Sequence, residues 1–190
     1  LRPRSGSMPP RGVASSTRTT PRRRTVSPGR DGMQGAYLGP EYADDEIAAW
    51  LTGKGYPHTT LGDGDLEDEV ARYIDEQNVV GMFQGRMEFG PRALGNRSIL
   101  GDARSPRMQS VMNLKIKFRE SFRPFAPSVL AERSSEYFGL RATDESPYML
   151  IVAPVQESQR LAVNGDAATL KGIEKLKVPR SVVPAITHVD

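Results

Sequence analysis

Apolar side chains fall into a regular pattern only from Gly35 onward. Between Ala43 and Thr52, Ile47, Trp50 and Leu51 share one face of a helix, with Asp44 or Asp45 placed to cap its start and Gly53 to stop it. After a Gly/Asp-rich turn, Leu66, Val70, Tyr73 and Ile74 repeat the spacing behind Asp63 or Asp65, which predicts a second amphipathic helix. Val79 to Gln84 (VVGMFQ) is a short continuous apolar run and predicts a buried strand. Met108, Val111, Met112 and Ile116 return to helical spacing after Pro106, a residue that suits a helix start. Phe125–Leu130, Tyr148–Val155 and Val182–Val189 predict further strands, with a short helix over Glu132–Phe138. The polar stretch from Gln156 to Lys177 predicts a long surface loop with some helix. This order of elements predicts a mixed α/β domain over residues 35–190.

Residues 1–34 carry almost no large apolar side chain and are rich in Arg, Pro, Ser, Thr and Gly. Such a segment cannot bury enough surface to offset its ordering entropy, so a disordered leader is expected. Three accounts of it stand: an arginine-rich arm for nucleic acid, a dispensable flexible leader, or sequence that is not native coding sequence. The end at Val189-Asp190 interrupts a β-like run, so the chain is expected to be truncated there.

Composition narrows the chemistry. At 190 residues and 37% hydrophobic, the chain holds one ordinary domain and a tail. No apolar run reaches the roughly 18 residues of a membrane span, and no secretory signal opens the chain. A soluble, cytoplasmic protein is expected. The absence of cysteine excludes disulfides, thiolate zinc sites and a thiol nucleophile, and His58 and His188 lie too far apart in sequence to suggest a ligand pair. The net charge of +3 conceals segregation. Residues 1–34 sum to +7 and the remainder to −4, yet Gly85 to Leu130 alone carries +6. A basic island in an acidic domain points to an anionic ligand bound at one place.

The first half of that island is GRMEFGPRALGNRSILGD, Gly85 to Asp102. Its glycines (Gly85, Gly90, Gly95, Gly101) permit left-handed backbone, and amide N–H groups in such turns form anion-binding concavities. Arg86, Arg92 and Arg97 are interleaved with them, and each guanidinium is a planar fork for two phosphate oxygens. No P-loop or dinucleotide fingerprint occurs. Because Arg92 and Arg97 are flanked by Phe89, Leu94, Ile99 and Leu100, both are expected at a partly buried boundary where a charge needs a partner. Glu88 and Asp102 are too few to serve all three arginines. The alternative is a solvated face with surface ion pairs.

The second half, LKIKFRESFRPFAPSVL, alternates Lys115, Lys117, Arg119 and Arg123 with Ile116, Phe118 and Phe122. An extended segment would put Lys115, Lys117 and Arg119 on one side, and FRPFAP favours an extended exit. Phosphate binding, a core strand with solvated lysines, and single-stranded nucleic acid stacked on the rings all fit this pattern.

Taken together, GRMEFGPRALGNRSIL, MNLKIKFRESFRPFAPSVL, SPYMLIVAPV and VPAITHVD, from about Tyr37 to Asp190, resemble the C-terminal domain of the O-carbamoyltransferases that serve nodulation and antibiotic tailoring. The resemblance implies a YrdC-like twisted mixed sheet with flanking helices, incomplete at the C-terminus. It implies formation of carbamoyladenylate from carbamoyl phosphate and ATP, ATP serving as co-substrate. A preceding domain, which would hold a metal ion through histidines, then transfers the carbamoyl group to a hydroxyl-bearing small molecule. Matched to the family's motifs, Arg92, Arg97, Lys117 and Arg123 are the expected ligands of carbamoyl phosphate and nucleotide phosphates, and Arg119 is a further candidate. Lys117, Arg123 and Arg92 would also stabilise transition-state charge, since a carbamate oxygen attacking the α-phosphorus needs positioning and fixed cations and no nucleophilic side chain. The resemblance places the metal and the choice of acceptor outside this chain, along with a later NTSFN-like stretch. A fragment with weak or no activity alone is therefore expected, and a basic nucleic-acid-binding protein is the alternative.

Overall fold

The computed structural model describes residues 13–16, 31–62, 64–141, 143–163 and 169–187. Helix α1 spans Asp44–Gly53, and its cap differs from the sequence expectation. Ala43 is the N-cap, and Glu46 reaches back so that its carboxylate accepts the Ala43 N–H at 2.8 Å. The stop is Gly55, at φ +69°, two residues beyond the expected Gly53. Around it Tyr56 N–H bonds the Leu51 carbonyl and Gly55 N–H the Thr52 carbonyl, both at 3.0 Å. That double closure requires a left-handed residue between, which glycine supplies at least cost. Leu51 is buried and Ile47 half-buried, but Trp50 is 57% exposed and packs on Tyr56 at 5.6 Å between ring centroids. Trp50 therefore belongs to the rim of the helix and not to its core face.

Helix α2 (Asp65–Asp75) keeps Leu66, Val70, Tyr73 and Ile74 half-buried, as their spacing predicts. Its N-cap is Gly64; Asp65 is the first helical residue, and Asp63 lies outside the described residues. Strand β1 (Val13–Ser16) pairs in parallel with β2 (His58–Leu61), and β3 (Val80–Phe83) pairs antiparallel with β4 (Arg97–Leu100). Within residues 1–34 lie β1 and the start of a turn at Asp31–Ala36, where the Asp31 carboxylate accepts the Met33 and Gly35 amides. The rest of that leader lies outside the described residues.

Helix α3 (Met108–Val111) runs on as a wider π-type turn over Met112–Ile116. Met108 and Met112 pack with Ala185 into a small core, against which Val79, Val111 and Phe125 lean. Ala185 arrives on a 3-10 turn, Pro184–Ile186, whose backbone bonds the Ala103 carbonyl at 3.1 Å. A 3-10 turn at Ala131–Arg133 and helix α4 (Ser134–Tyr137) occupy the expected short helix. Residues 157–159 and 172–177 add 3-10 turns to the polar loop.

Helices and small sheets together make a mixed α/β chain. The sheet itself differs from expectation: the described strands form two separate pairs in place of one twisted sheet. Phe125–Leu130 carries no strand, and Tyr148–Val155 contributes only the Phe138–Val155 bridge. Val182–Ile186 is turn and 3-10 helix, and the end of that run beyond Thr187, with His188, lies outside the described residues. Leu150, Ile151 and Val152 stand exposed. A strand is a property of a pair, and among the described residues these apolar runs meet their neighbours only at isolated bonds, with no continuous ladder. No helix among the described residues is long and apolar enough to cross a membrane.

Candidate functional site

The β3–β4 hairpin holds the first cationic loop. Phe83 and Arg97 face each other as its last pair, and Gln84 N–H continues the ladder to the Asn96 carbonyl at 3.0 Å. The thirteen residues from Gln84 to Asn96 then close around Glu88, which is buried. One of its oxygens, Oε1, accepts the backbone N–H of Leu94 at 2.7 Å, Asn96 at 2.8 Å and Arg97 at 3.2 Å. Gly95, at φ +119°, lets those amides converge where a side chain would strain the backbone. Burial works to raise the Glu88 carboxyl, and the amide bonds outweigh it, so it lies below the ordinary glutamate value. The concavity of amides expected for a ligand therefore exists, and an internal carboxylate fills it.

Arg97 closes the same loop from its carbonyl side. Nη1 donates to the carbonyls of Gln84 at 2.7 Å and Asn96 at 2.9 Å; Nη2 donates to Gly85 at 3.1 Å and, more weakly, to Pro40 at 3.5 Å. The guanidinium lies over the Phe83 ring, 3.6 Å from its centroid. Residues 36–40 run alongside: Phe89 N–H bonds the Ala36 carbonyl, Gly39 N–H that of Met87, and Met87 N–H that of Pro40. Tyr37 Oη donates to the Leu94 carbonyl at 2.8 Å. Arg86 donates to the Gly39 carbonyl and lies 3.4 Å from Glu41. Arg92 is exposed, against the expectation of a partly buried boundary, and its Nη1 donates to the Met149 carbonyl at 2.9 Å. The boundary position belongs to Arg97, which is half-buried.

The second cationic loop is built on α3 and its π-type extension. Gln109 and Asn113 are both buried, and Asn113 has no exposed surface. Asn113 Nδ2 donates to the carbonyls of Ser121 at 3.1 Å and Arg123 at 2.8 Å, and Gln109 Nε2 to that of Arg123 at 3.2 Å. Lys115 falls inside the π-type turn and Lys117 at its end, so the segment is neither fully extended nor a regular helix. Lys117 is exposed. Arg119 turns inward: Nε donates to Asn113 Oδ1 at 2.6 Å, and the guanidinium lies 4.8 Å from the Phe125 ring centroid. Arg123 is exposed and pairs with Glu120 at 3.3 Å.

The five expected ligands thus fall into two kinds. Arg92, Lys117 and Arg123 present their charges outward, whereas Arg97 and Arg119 are engaged with their own loops. Two residues that hold these loops together, Glu88 and Asn113, were not candidates on sequence grounds. The available signal was a lone acid, or a lone amide, inside an otherwise cationic and apolar stretch. Asp102, also buried, ties β4 to the end of α2: it accepts Gln77 Nε2 at 2.6 Å and Arg104 Nε at 2.9 Å, and Arg104 pairs with Asp75 at 2.7 Å. No cluster of three or more metal-ligating side chains occurs among the described residues.

The chain is 58% identical over 162 residues to protein sll1178 of Synechocystis sp., a match covering 84% of this chain and 26% of that protein. Nodulation protein NolNO of Sinorhizobium fredii is 43% identical over 85% of this chain and 21% of its own length. Nodulation protein NolO of Bradyrhizobium diazoefficiens is 38% identical, again over 85% of this chain and 26% of its own. The chain spans about a quarter or less of the length of these proteins. The model of the carbamoyltransferase C-terminus matches residues 71–190, well over half the chain and including both cationic loops; the chain belongs to that family.

Proposed function

We propose that the chain is the portion of an O-carbamoyltransferase that binds carbamoyl phosphate and ATP and forms carbamoyladenylate, in a YrdC-like fold. The observation that carries this reading is the outward display of Arg92, Lys117 and Arg123 on two loops whose inner polar groups are already satisfied by Glu88 and Asn113. Fixed cations on preorganised loops are what phosphoryl chemistry requires. Water takes the phosphoryl group of carbamoyl phosphate, the P–O bond to the carbamoyl oxygen breaks, and carbamate and inorganic phosphate result. A carbamate oxygen then attacks the α-phosphorus, the bond to the β-phosphate breaks, and pyrophosphate departs. Arg92, Lys117 and Arg123 would neutralise the charge on the transferring and leaving oxygens. An acceptor hydroxyl then takes the carbamoyl group and releases AMP, with any metal ion supplied by the acceptor-binding part of the protein. A reaction that draws on ATP and carbamoyl phosphate suits the cytoplasm.

The test is pyrophosphate release from ATP, with and without carbamoyl phosphate, by this chain alone and joined to the part of the Synechocystis relative that lies outside the match. Release that depends on carbamoyl phosphate and disappears in Arg92→Ala and Lys117→Ala is the expected result. Absence of such release from the joined protein overturns the reading.

A second reading rests on Phe118, which is 85% exposed between Lys117 and Arg119 and suits stacking of single-stranded nucleic acid. It predicts oligonucleotide binding that weakens steeply with salt and is lost in Phe118→Ala, with ATP a poor competitor.

A further inference from the structure

Arg97 and Glu88 close one loop through complementary groups. Four of the five guanidinium N–H groups of Arg97 are directed at the carbonyls of Pro40, Gln84, Gly85 and Asn96. One face of the same group covers the Phe83 ring. A phosphate approaching the fork edge-on would have to displace at least one of those carbonyl bonds, and two on the Nη1–Nη2 edge. On the other side of the loop, the amides of Leu94, Asn96 and Arg97 are taken by Glu88 Oε1. These amides and four of the five Arg97 N–H groups are therefore already engaged, whereas Arg92 is exposed on the same loop and gives Nη1 to the Met149 carbonyl.

We propose that Glu88 and Arg97 are positioning residues that set the shape of the 84–96 loop, and that direct phosphate contact from this loop belongs to Arg92. The proposal deepens the functional reading above and rests on it for the identity of the ligand. It changes the role of Arg97, which the sequence places among the phosphate ligands. Glu88 supplies an internal anion so that the turn containing Gly95 closes before any substrate arrives. Arg97 does for the carbonyls what Glu88 does for the amides. A loop closed this way holds Arg92 at a constant place, which is the geometric condition for productive charge stabilisation.

Two readouts separate positioning from contact. Amide hydrogen exchange of Leu94, Asn96 and Arg97 reports loop closure, with the Gly55 and Tyr56 amides at the end of α1 as an internal control for a folded chain. ATP binding, measured over a range of KCl concentrations, reports charge contact. Arg97→Lys and Glu88→Ala are expected to lose exchange protection at Leu94 and Asn96 and to weaken ATP binding about tenfold or more, with the salt dependence unchanged. Glu88→Gln, which keeps an acceptor oxygen, is expected to restore most of the protection. Arg92→Met is expected to keep full protection while the salt dependence becomes shallower, because a charge has left the site. Arg97→Lys that keeps full loop protection yet still weakens ATP binding about tenfold overturns the proposal, since Arg97 would then touch phosphate. If the unaltered chain binds no ATP, the functional reading fails, and exchange protection alone decides the positioning claim.

Discussion

Arg119 donates through Nε to Oδ1 of Asn113 at 2.6 Å, so a cation that the sequence groups with the phosphate ligands is bonded to a fully buried amide. The same amide gives its two N–H groups to the carbonyls of Ser121 and Arg123. Asn113 is thus the internal template of the second loop, as Glu88 is of the first.

This predicts an unusual order of severity at position 113. Asn113→Ala takes the Asn113 bonds from the Ser121 carbonyl and the Arg119 Nε–H and leaves the Arg123 carbonyl with Gln109 alone, and it is expected to cost about 2–4 kcal/mol. Asn113→Asp keeps the bond to Arg119 but sets an oxygen against two carbonyls, and it is expected to be no less destabilising near neutral pH. Urea denaturation of the two variants checks this; an Asn113→Asp variant as stable as the parent would show that the Nδ2 bonds contribute nothing.

Arg92 gives the opposite expectation. Exposed and bonded to the Met149 carbonyl, it can be changed to Ala with a stability effect within roughly 0.5 kcal/mol. Loss of a charge-assisted contact should nevertheless weaken binding of carbamoyl phosphate or ATP about 10- to 100-fold. Thermal unfolding and calorimetric titration of one variant measure both.

Acid should open both ends of the β3–β4 hairpin. At Asp102, as at Glu88, burial raises the carboxyl and hydrogen bonds outweigh it, here from Arg104 and Gln77, so both groups lie below their ordinary values of 3.8 and 4.5. A depressed folded value means that the unfolded chain binds protons first. The stabilisation is therefore complete above the ordinary values and is lost as pH falls through the depressed ones. Denaturation midpoints between pH 6 and 2 should fall less steeply in Glu88→Gln than in the parent.

The end of α1 offers a paired test. Gly55→Ala places a side chain at φ +69° and is expected to cost about 1 kcal/mol. Gly53→Ala, in the last helical residue and with open space around the added carbon, is expected to be neutral or to stabilise by roughly 0.4–1 kcal/mol. Melting temperatures that rank the two variants the other way would refute the assigned stop.

Much of the local structure was legible because it depends on spacing alone. The apolar period of Leu66, Val70, Tyr73 and Ile74 suffices to place α2, and Met108 to Ile116 to place the core helix and its extension. The charge island, the glycine-rich turn and the family were likewise readable from residue types in order. The strands expected at Phe125–Leu130 and Tyr148–Val155 were not decided this way, since periodicity states what a segment can pair with and not whether a neighbour is there.

Arginine count and order established that two segments are cationic. Which arginines remain outward was settled only in three dimensions. A guanidinium can bind a phosphate or its own carbonyls with the same N–H groups, and the choice depends on which acceptors the folded loop brings within about 3 Å. Arg97 and Arg119 found theirs inside the protein, whereas Arg92, Lys117 and Arg123 stay exposed, Arg92 with one bond to the Met149 carbonyl and Arg123 beside Glu120.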